Sequence, residues 1–479
     1  MLFRMLYDDK LAQAAYLIGC QRTGEAIVID PERDVDRYIE LAAREDMKIT
    51  AITETHIHAD FLSGARELAE RTGGQLYLSD EGDADWKYQW LNQKRGGSSY
   101  PHRLVKNGDA FKVGNIQFEV MHTPGHTPEH ISFLVTDMGG GATEPMGIAS
   151  GDFIFVGSVG RPDLLETAAG QIGEKEKSAI VLHQSIQRFM QLPDYLQVWP
   201  AHGAGSACGK ALGAVPQSTV GYEKRFNTAI QEAKNEKLFV ESILYGQPEP
   251  PLYFARMKRD NKEGPALLGE MPAPQPMTAD DLKALAKNNA MILDTRSWPQ
   301  FVEGHVPGAL YAPLDNSFPT VAGSYVEPGM SIYLIVEAER VKEAVTDLIR
   351  IGLDEVVGYA TPQTLQEYYA QGGELRQTKT LDIKKLLHQH RNDDELILDV
   401  RRADEFAEGH LAGARNIAHT RLLARLDEVP KDRPLLVHCR TSNRSAYATA
   451  LLERQGYNAT MLHGGFAAWT EAGGEIMLS

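Results

Sequence analysis

Apolar residues recur over roughly the first 245 positions in short runs that alternate with stretches of helical spacing. Ala15 to Ile18 and Ala26 to Ile29 read as two strands about a turn at Arg22 to Glu25. Asp34 to Arg44 has helical spacing, Ile49 to Thr53 is a buried strand, Ser63 to Glu70 a second helix and Gln75 to Leu78 another strand. Beyond Gly114 the pattern returns, with strands at Ile116 to Met121, Ile131 to Val135 and Met146 to Ala149, then a helix within Lys175 to Met190. Sheets and helices together predict an α/β sandwich.

From Pro265 the chain reads P-A-L-L-G-E-M-P-A-P-Q-P, whose prolines predict an extended linker. After it the sequence repeats. L-D-T-R-S-W-P-Q-F-V-E-G-H-V-P-G-A from Leu293 matches L-D-V-R-R-A-D-E-F-A-E-G-H-L-A-G-A from Leu398, with the same interval from Asp294 to His305 and from Asp399 to His410. Each copy continues with an apolar strand (Ile332 to Val336; Leu435 to His438), a helix and a glycine (Gly352; Gly456), the alternation of a small parallel sheet. The expected organisation is a first domain over 1–264, a linker over 265–276, and duplicated domains over 277–376 and 377–479.

Composition narrows the chemistry. Hydrophobic residues at 43% and charged residues at 24% are those of a globular chain. A formal net charge of −16 repels nucleic acid and anionic membranes. No apolar run reaches the length of a membrane span, and Met1 to Lys10 has no signal-like character, so a cytoplasmic protein is expected. Three cysteines make no disulfide framework; Cys20 reads as core, leaving Cys208 and Cys439 as candidate reagents.

Several potential metal ligands follow expected strands. T-H-I-H-A-D-F supplies His56, His58 and Asp60; P-G-H-T-P-E-H supplies His126 and His130; G-D-F supplies Asp152 and P-A-H-G supplies His202. A lone histidine is usually structural, but four clusters at strand ends can converge on one cation. At the far end, H-C-R-T-S-N-R-S places Cys439 between an apolar strand and an alanine-rich helix, where successive N–H groups stabilise a thiolate or bound anion. The middle copy has Glu337-Ala338-Glu339-Arg340 after its strand, no cysteine and a shortened loop, and is expected to be inactive.

The first half resembles the metallo-β-lactamase superfamily in its glyoxalase II and persulfide dioxygenase branch, which implies an αββα sandwich. Hydrolases of that fold read H-x-H-x-D-H; here the last position is Phe61, so the second metal position lacks a ligand and a binuclear centre is disfavoured. The resemblance implies one mononuclear Fe(II) on His56, His126 and Asp152, with His58, Asp60 and His202 around it and Arg161 at the thiol-persulfide pocket; zinc is the alternative metal, and a surface ion pair the alternative for Arg161. The Cys439 loop resembles that of rhodaneses: six residues to Arg444, the length associated with sulfur, with Arg440 and Ser445 at the anion. Its fourth position, often glycine, is Ser442, which is strained if φ is positive. Asp399 and His410 are expected to buttress the fold.

Iron oxygenase, inactive rhodanese and active rhodanese in that order resemble the persulfide dioxygenase fusions of the CstB type. There the glycine-rich segment of Cys208 is implicated in persulfide handling; a small buried residue is the other reading here. The resemblance implies sulfide detoxification: a low-molecular-weight thiol persulfide and dioxygen give sulfite and thiol, and Cys439 then passes sulfur to sulfite, giving thiosulfate. Related proteins are dimers or tetramers, so a homo-oligomer is expected. The rival readings are a zinc thioester hydrolase of the glyoxalase II kind, and a sulfur carrier or redox sensor.

Overall fold

In the computed structural model, which describes residues 1–164, 173–210, 212–247, 249–387 and 394–478, the strand Gln13–Cys20 is buried along its whole length. Its period of two divides the side chains between two cores. Ala15 and Leu17 face Tyr38 and Ala42 of the helix Asp36–Arg44 and Leu68 of the helix Ala65–Thr72. Ala14, Tyr16, Ile18 and Cys20 face Phe118, Val120, Phe133 and Val135 of a second sheet. The outer face of that sheet, at Ile148 and Val198, is covered by Leu182 and Ile186 of the helix Lys175–Phe189. Helix, sheet, sheet and helix make the expected four-layer sandwich.

The first sheet hydrogen-bonds Leu2–Asp8, Gln13–Cys20, Glu25–Ile29, Lys48–Thr53, Gln75–Ser79 and His102–Val105 in that order. The second runs Ser218–Thr219, Gln197–Pro200, Gly147–Gly151, Ile131–Asp137, Ile116–His122 and Ala110–Val113. The edge strand Leu2–Asp8 and the helices Val220–Phe226, Thr228–Glu232, Glu236–Leu244 and Tyr253–Glu263 lie outside the sequence expectations. The helices are short or mixed in pattern, and packing of residues such as Val220, Ile230, Phe239 and Met257 against the body holds them helical.

Two compact units result, Met1–Glu270 and Met271–Ser479. The proline-rich segment is extended, yet both its ends are held. The N–H groups of Leu268 and Gly269 donate to Glu67, and Gln275–Pro276 pairs in parallel with the strand Val356–Ala360. No described helix is long and apolar enough to cross a membrane.

The second unit contains two five-stranded sheets of the same parallel topology, one centred on Met291–Asp294 and Ile332–Ile335, the other on Leu396–Asp399 and Leu435–His438. A buried ion pair recurs in both. Arg296 forks onto Asp294 and donates to the Gly304 carbonyl at 2.8 Å; Arg401 does the same to Asp399 and the Gly409 carbonyl at 2.8 Å. His305 stacks on Phe301 and His410 on Phe406, each pair with centroids 3.9 Å apart. The residues repeated in sequence are thus a structural frame, with the arginine the partner that sequence reading left out. Removing one member leaves a buried carboxylate unpaired. Arg401→Ala should therefore destabilise the second unit by about 3–5 kcal/mol, read as a lowered urea midpoint of its unfolding transition, and Arg296→Ala should do likewise.

Candidate functional site

Strand direction gathers the ligands of the first unit. Ile116–His122, Gly147–Gly151 and Gln197–Pro200 all run the same way, because Ile131–Asp137 lies antiparallel to the first two and the last two pair in parallel. His126, Asp152 and His202 therefore emerge at one edge. The Thr53 end of Lys48–Thr53 joins them through the Ile131 N–H, which donates to the Thr55 carbonyl at 2.8 Å and brings His56 alongside. The ligand atoms of His56, His126 and Asp152 all lie within 4.8 Å of one another, and the three residues are buried.

The protonation of each ring follows from what holds it. His126 Nδ1 donates to the Arg161 carbonyl at 2.9 Å and His202 Nδ1 to the Ala12 carbonyl at 3.0 Å. Thr55 Oγ1 gives its own proton to Asp30, so it accepts from His56 Nδ1 at 3.0 Å. His56 and His126 then turn an Nε2 lone pair inward, toward Asp152, at 4.0 Å and 3.4 Å, while His202, raised by the carboxylates around it, brings its Nε2 to 3.4 Å from Asp152. Lone pairs facing a buried carboxylate without partners call for a cation. Both Asp152 oxygens, Asp60 Oδ1 and His202 Nε2 have no hydrogen-bond partner. Burial and the neighbouring imidazoles push His56 well below the usual histidine range, and burial lowers His126, so both stay neutral and free to ligate. The donor set fits a divalent metal.

His58 stands apart. Its Nε2 donates to Asp30 at 3.1 Å, and although burial opposes the charge, Asp30 and Glu54 raise it to about 9. Asp30 also accepts from the Thr55 N–H at 2.6 Å, so this one carboxylate fixes the loop that carries His56. His130 is a positioning residue too: its Nε2 accepts the Asp152 N–H at 3.0 Å. Gly151 has φ +56°, and a Cβ on Gly160 would lie 1.8 Å from the Asp152 carbonyl oxygen. Asn261 was beyond the reach of local pattern; from the helix Tyr253–Glu263 its amide donates to the carbonyls of His58 and Phe61, both at 2.8 Å. Asp30, also missed, does carry a local signal, an aspartate directly after the apolar strand Glu25–Ile29.

Phe61 offers no ligand and packs on His58 with centroids 4.4 Å apart. Beside the His56, His126 and Asp152 group a further donor, Cys208, joins Asp60 and His202. Asp60, His202 and Cys208 form a second buried group with ligand atoms within 4.8 Å, and His202 Nε2 lies 3.2 Å from Asp60. The loop after His202 folds back on Gly160 and Arg161, whose N–H donates to the Cys208 carbonyl at 3.1 Å. Burial first, then the Asp60 and Asp152 carboxylates, push the Cys208 thiol up; Asp152, Cys208 and Asp60 outweigh burial to raise His202. Arg161 is 1% exposed and forks onto Asp163 at 2.8 and 2.6 Å, so its ion pair is buried and not at the surface.

In the second unit Cys439 is buried at the turn from Leu435–His438 into the helix Asn443–Arg454. Ser445 Oγ lies 3.6 Å from its sulfur, and the Phe466 and Ala467 N–H groups, each at 2.8 Å, hold the carbonyls of Cys439 and Arg440. Ser442 has φ 168°, extended backbone, so the positive-φ strain considered for serine does not arise. Arg440 is exposed and lines a cavity of about 420 Å³ with Glu405, Glu408 and Phe466. Arg444 is turned onto Glu405, at 2.8 Å through Nη2. In the other copy Asp294 pairs with Ile335 as Asp399 pairs with His438, which sets buried Val336 in the place of Cys439.

The model of the metallo-beta-lactamase superfamily matches residues 8–202, and that of the rhodanese-like domain matches 278–357 and 382–472. A solved metallo-beta-lactamase from Staphylococcus aureus subsp. aureus COL is 43% identical, with a TM-score of 0.67 over 76% of this chain and 99% of that one. A hydroxyacylglutathione hydrolase of Synechococcus sp. (strain CC9605) is 29% identical over 46% of this chain and 80% of its own length. A beta-lactamase hydrolase-like protein of Xylella fastidiosa (strain 9a5c) is 27% identical over 50% of this chain, which spans 57% of that relative. With a buried metal-ligand edge of this order and a solved relative matched over nearly its whole length, the chain belongs to the metallo-beta-lactamase superfamily and carries two rhodanese-like domains after that fold.

Proposed function

We propose that the protein is an iron-dependent persulfide dioxygenase whose product feeds a sulfurtransferase in the same chain. The observation that carries this reading is the pairing of a two-histidine, one-carboxylate donor set, His56, His126 and Asp152, with a cysteine loop built for sulfur. Such a set leaves positions open on Fe(II), and the ion supplies the redox chemistry by which dioxygen and a sulfur ligand react. Overall, a thiol persulfide, dioxygen and water give thiol, sulfite and two protons.

The chain's residues supply binding and order. Thr55, Arg161 and Ala12 fix the ring orientations, His130 and Gly160 fix Asp152, and burial excludes bulk water. A cavity of about 350 Å³ reaches His202 between Met5, Tyr7 and Pro200, a volume suited to a low-molecular-weight thiol. At Cys439, sulfite takes the outer sulfur of a persulfide. Exposed Arg440 is the cation that receives such an anion.

A second reading, a binuclear metallohydrolase cleaving thioesters, is favoured by the Asp60, His202 and Cys208 group. Metal analysis of the purified chain separates the two: about one iron per chain and oxygen uptake with a thiol persulfide are expected, whereas two zincs, thioester cleavage and no oxygen uptake would establish the hydrolase. Cys439→Ser should leave sulfite production intact and abolish thiosulfate formation; sulfite loss in step with thiosulfate would refute independent sites. Gly160→Ala, which forces the Asp152 carbonyl aside, should lower metal content by about ten-fold or more while sulfur transfer from thiosulfate persists. Elemental analysis with a parallel sulfurtransferase assay reads both.

A further inference from the structure

The second unit contains its own control. Its two copies share the Asp–Arg frame and the His–Phe stack, but only one has a cysteine. What else differs between them separates groups that serve the fold from groups that serve the sulfur. Counting from the strand, Glu405 of the cysteine-bearing copy corresponds to Gln300. Counting back from Gly456 and Gly352, Arg444 corresponds to Arg340, the loop between being one residue shorter in the cysteine-free copy.

The two arginines are held differently. Arg444 forks onto Glu405, Nη1 to Oε2 at 2.5 Å and Nη2 to Oε1 at 2.8 Å, across thirty-nine residues of sequence. Arg340 instead folds onto Glu343 in its own helix and onto the Leu314 carbonyl. Gln300, without a charge to offer, only caps its helix by accepting the Ser297 N–H at 3.1 Å. Glu405 makes that same cap with the Arg402 N–H at 3.2 Å, so its second task is the clamp on Arg444. The ion pair is largely buried, its side chains 25% and 15% exposed. Arg444 immediately precedes Ser445, whose hydroxyl lies 3.6 Å from the Cys439 sulfur, in the first turn of the helix that the Cys439 loop enters.

We propose that Glu405 is a positioning residue for sulfur transfer, clamping Arg444 so that a fixed cation stands by Cys439 when the sulfur leaves. The proposal rests on the reading of Cys439 as the sulfur carrier. An acceptor lone pair attacks the outer sulfur of the Cys439 persulfide and forms a bond to it; the inner S–S bond breaks, its electron pair stays on Sγ, and the outer sulfur's proton passes to solvent. Negative charge therefore grows on Sγ, and a cation already in place stabilises it without reorganisation. Other charged or titratable groups near the loop include Arg440, Tyr447, His463 at 3.4 Å from the Ser442 hydroxyl, His419 against Tyr447 and, behind the strand, the His438–Asp399 pair at 3.5 Å.

The test is steady-state transfer from thiosulfate to cyanide by the full chain. Glu405→Gln keeps the cap, as Gln300 does in the other copy, and an amide oxygen for Arg444, so the variant should fold with its unfolding temperature lowered only by the lost charge of the pair. It should nonetheless lower kcat by about ten-fold or more with the KM for thiosulfate within about two-fold, the signature of an interaction made in the transition state. Arg444→Gln should behave alike, and the double variant should be no slower than Arg444→Gln alone, because Glu405 acts through Arg444. Exchanging the charges, Glu405→Arg with Arg444→Glu, restores an ion pair but puts a carboxylate by the sulfur, so the enzyme should stay slow. Losses that multiply in the double variant, recovery on charge exchange, or Glu405→Gln within about two-fold of the parent kcat would each overturn the proposal. If Cys439→Ser still transfers sulfur, the carrier reading itself has failed, and that outcome is separate from those of Glu405.

Discussion

The first unit is organised by an electrostatic conflict that only a cation resolves. His56, His126 and His202 each spend Nδ1–H on an acceptor outside the site, and His56 and His126 point a lone pair at Asp152, whose oxygens have no hydrogen-bond partner. Leaving such groups apart in a buried pocket costs several kcal/mol, more than one ordinary hydrogen bond returns. The fold tolerates it because the groups stand on strand ends that are independently locked. Asp30, His130, Gly160 and Asn261 make no claim on a metal themselves, yet they remove the freedom by which the ligands would otherwise relax apart.

The second unit shows the opposite economy, with charges that are fully answered. Asp294 with Arg296, and Asp399 with Arg401, each tie a strand end to the glycine that precedes the stacked histidine. Such a pair contributes little over an apolar substitute but defines one conformation, because either member alone is strongly destabilising. That explains why the pattern persists in the copy whose Val336 stands in the place of Cys439. The cysteine-free copy also packs on its neighbour: Ser317 meets Tyr447 at 2.9 Å, and Arg454 donates to the carbonyls of Ala290 at 3.0 Å and Asn289 at 2.9 Å. It supports the helix that begins at the Cys439 loop.

Local pattern revealed the buried elements and little of what holds the site. Strands such as Ile116–His122 and Gly147–Gly151 are apolar enough to be found from period and length, and the ligands follow them directly. Tyr253–Glu263 reads Y-F-A-R-M-K-R-D-N-K-E, polar over most of its second half, and becomes a helix through burial of Tyr253, Phe254 and Met257. Asn261, which clamps the His58 loop, was illegible for that reason: its partners lie about two hundred residues away. Cys208 was legible as a cysteine near His202, but only the return of its loop onto Gly160 and Arg161 brings its sulfur beside Asp60. The Arg–Asp frame was half legible, since the repeat advertised Asp399 and His410 while nothing in local pattern marks the arginine two residues on as buried.

Cys208 also bears on how the two readings of the metal centre compete. A phenyl ring at position 61 removes one donor, and a protonated thiol, held protonated by burial and two nearby carboxylates, is a poor replacement until a cation arrives. Once it does, the ion's charge opposes those carboxylates and favours the thiolate. Occupancy of the second position therefore depends on a metal soft enough to take sulfur from a group that otherwise keeps its proton. His56, His126 and Asp152 need no such change, because two neutral imidazoles and a carboxylate already present their lone pairs.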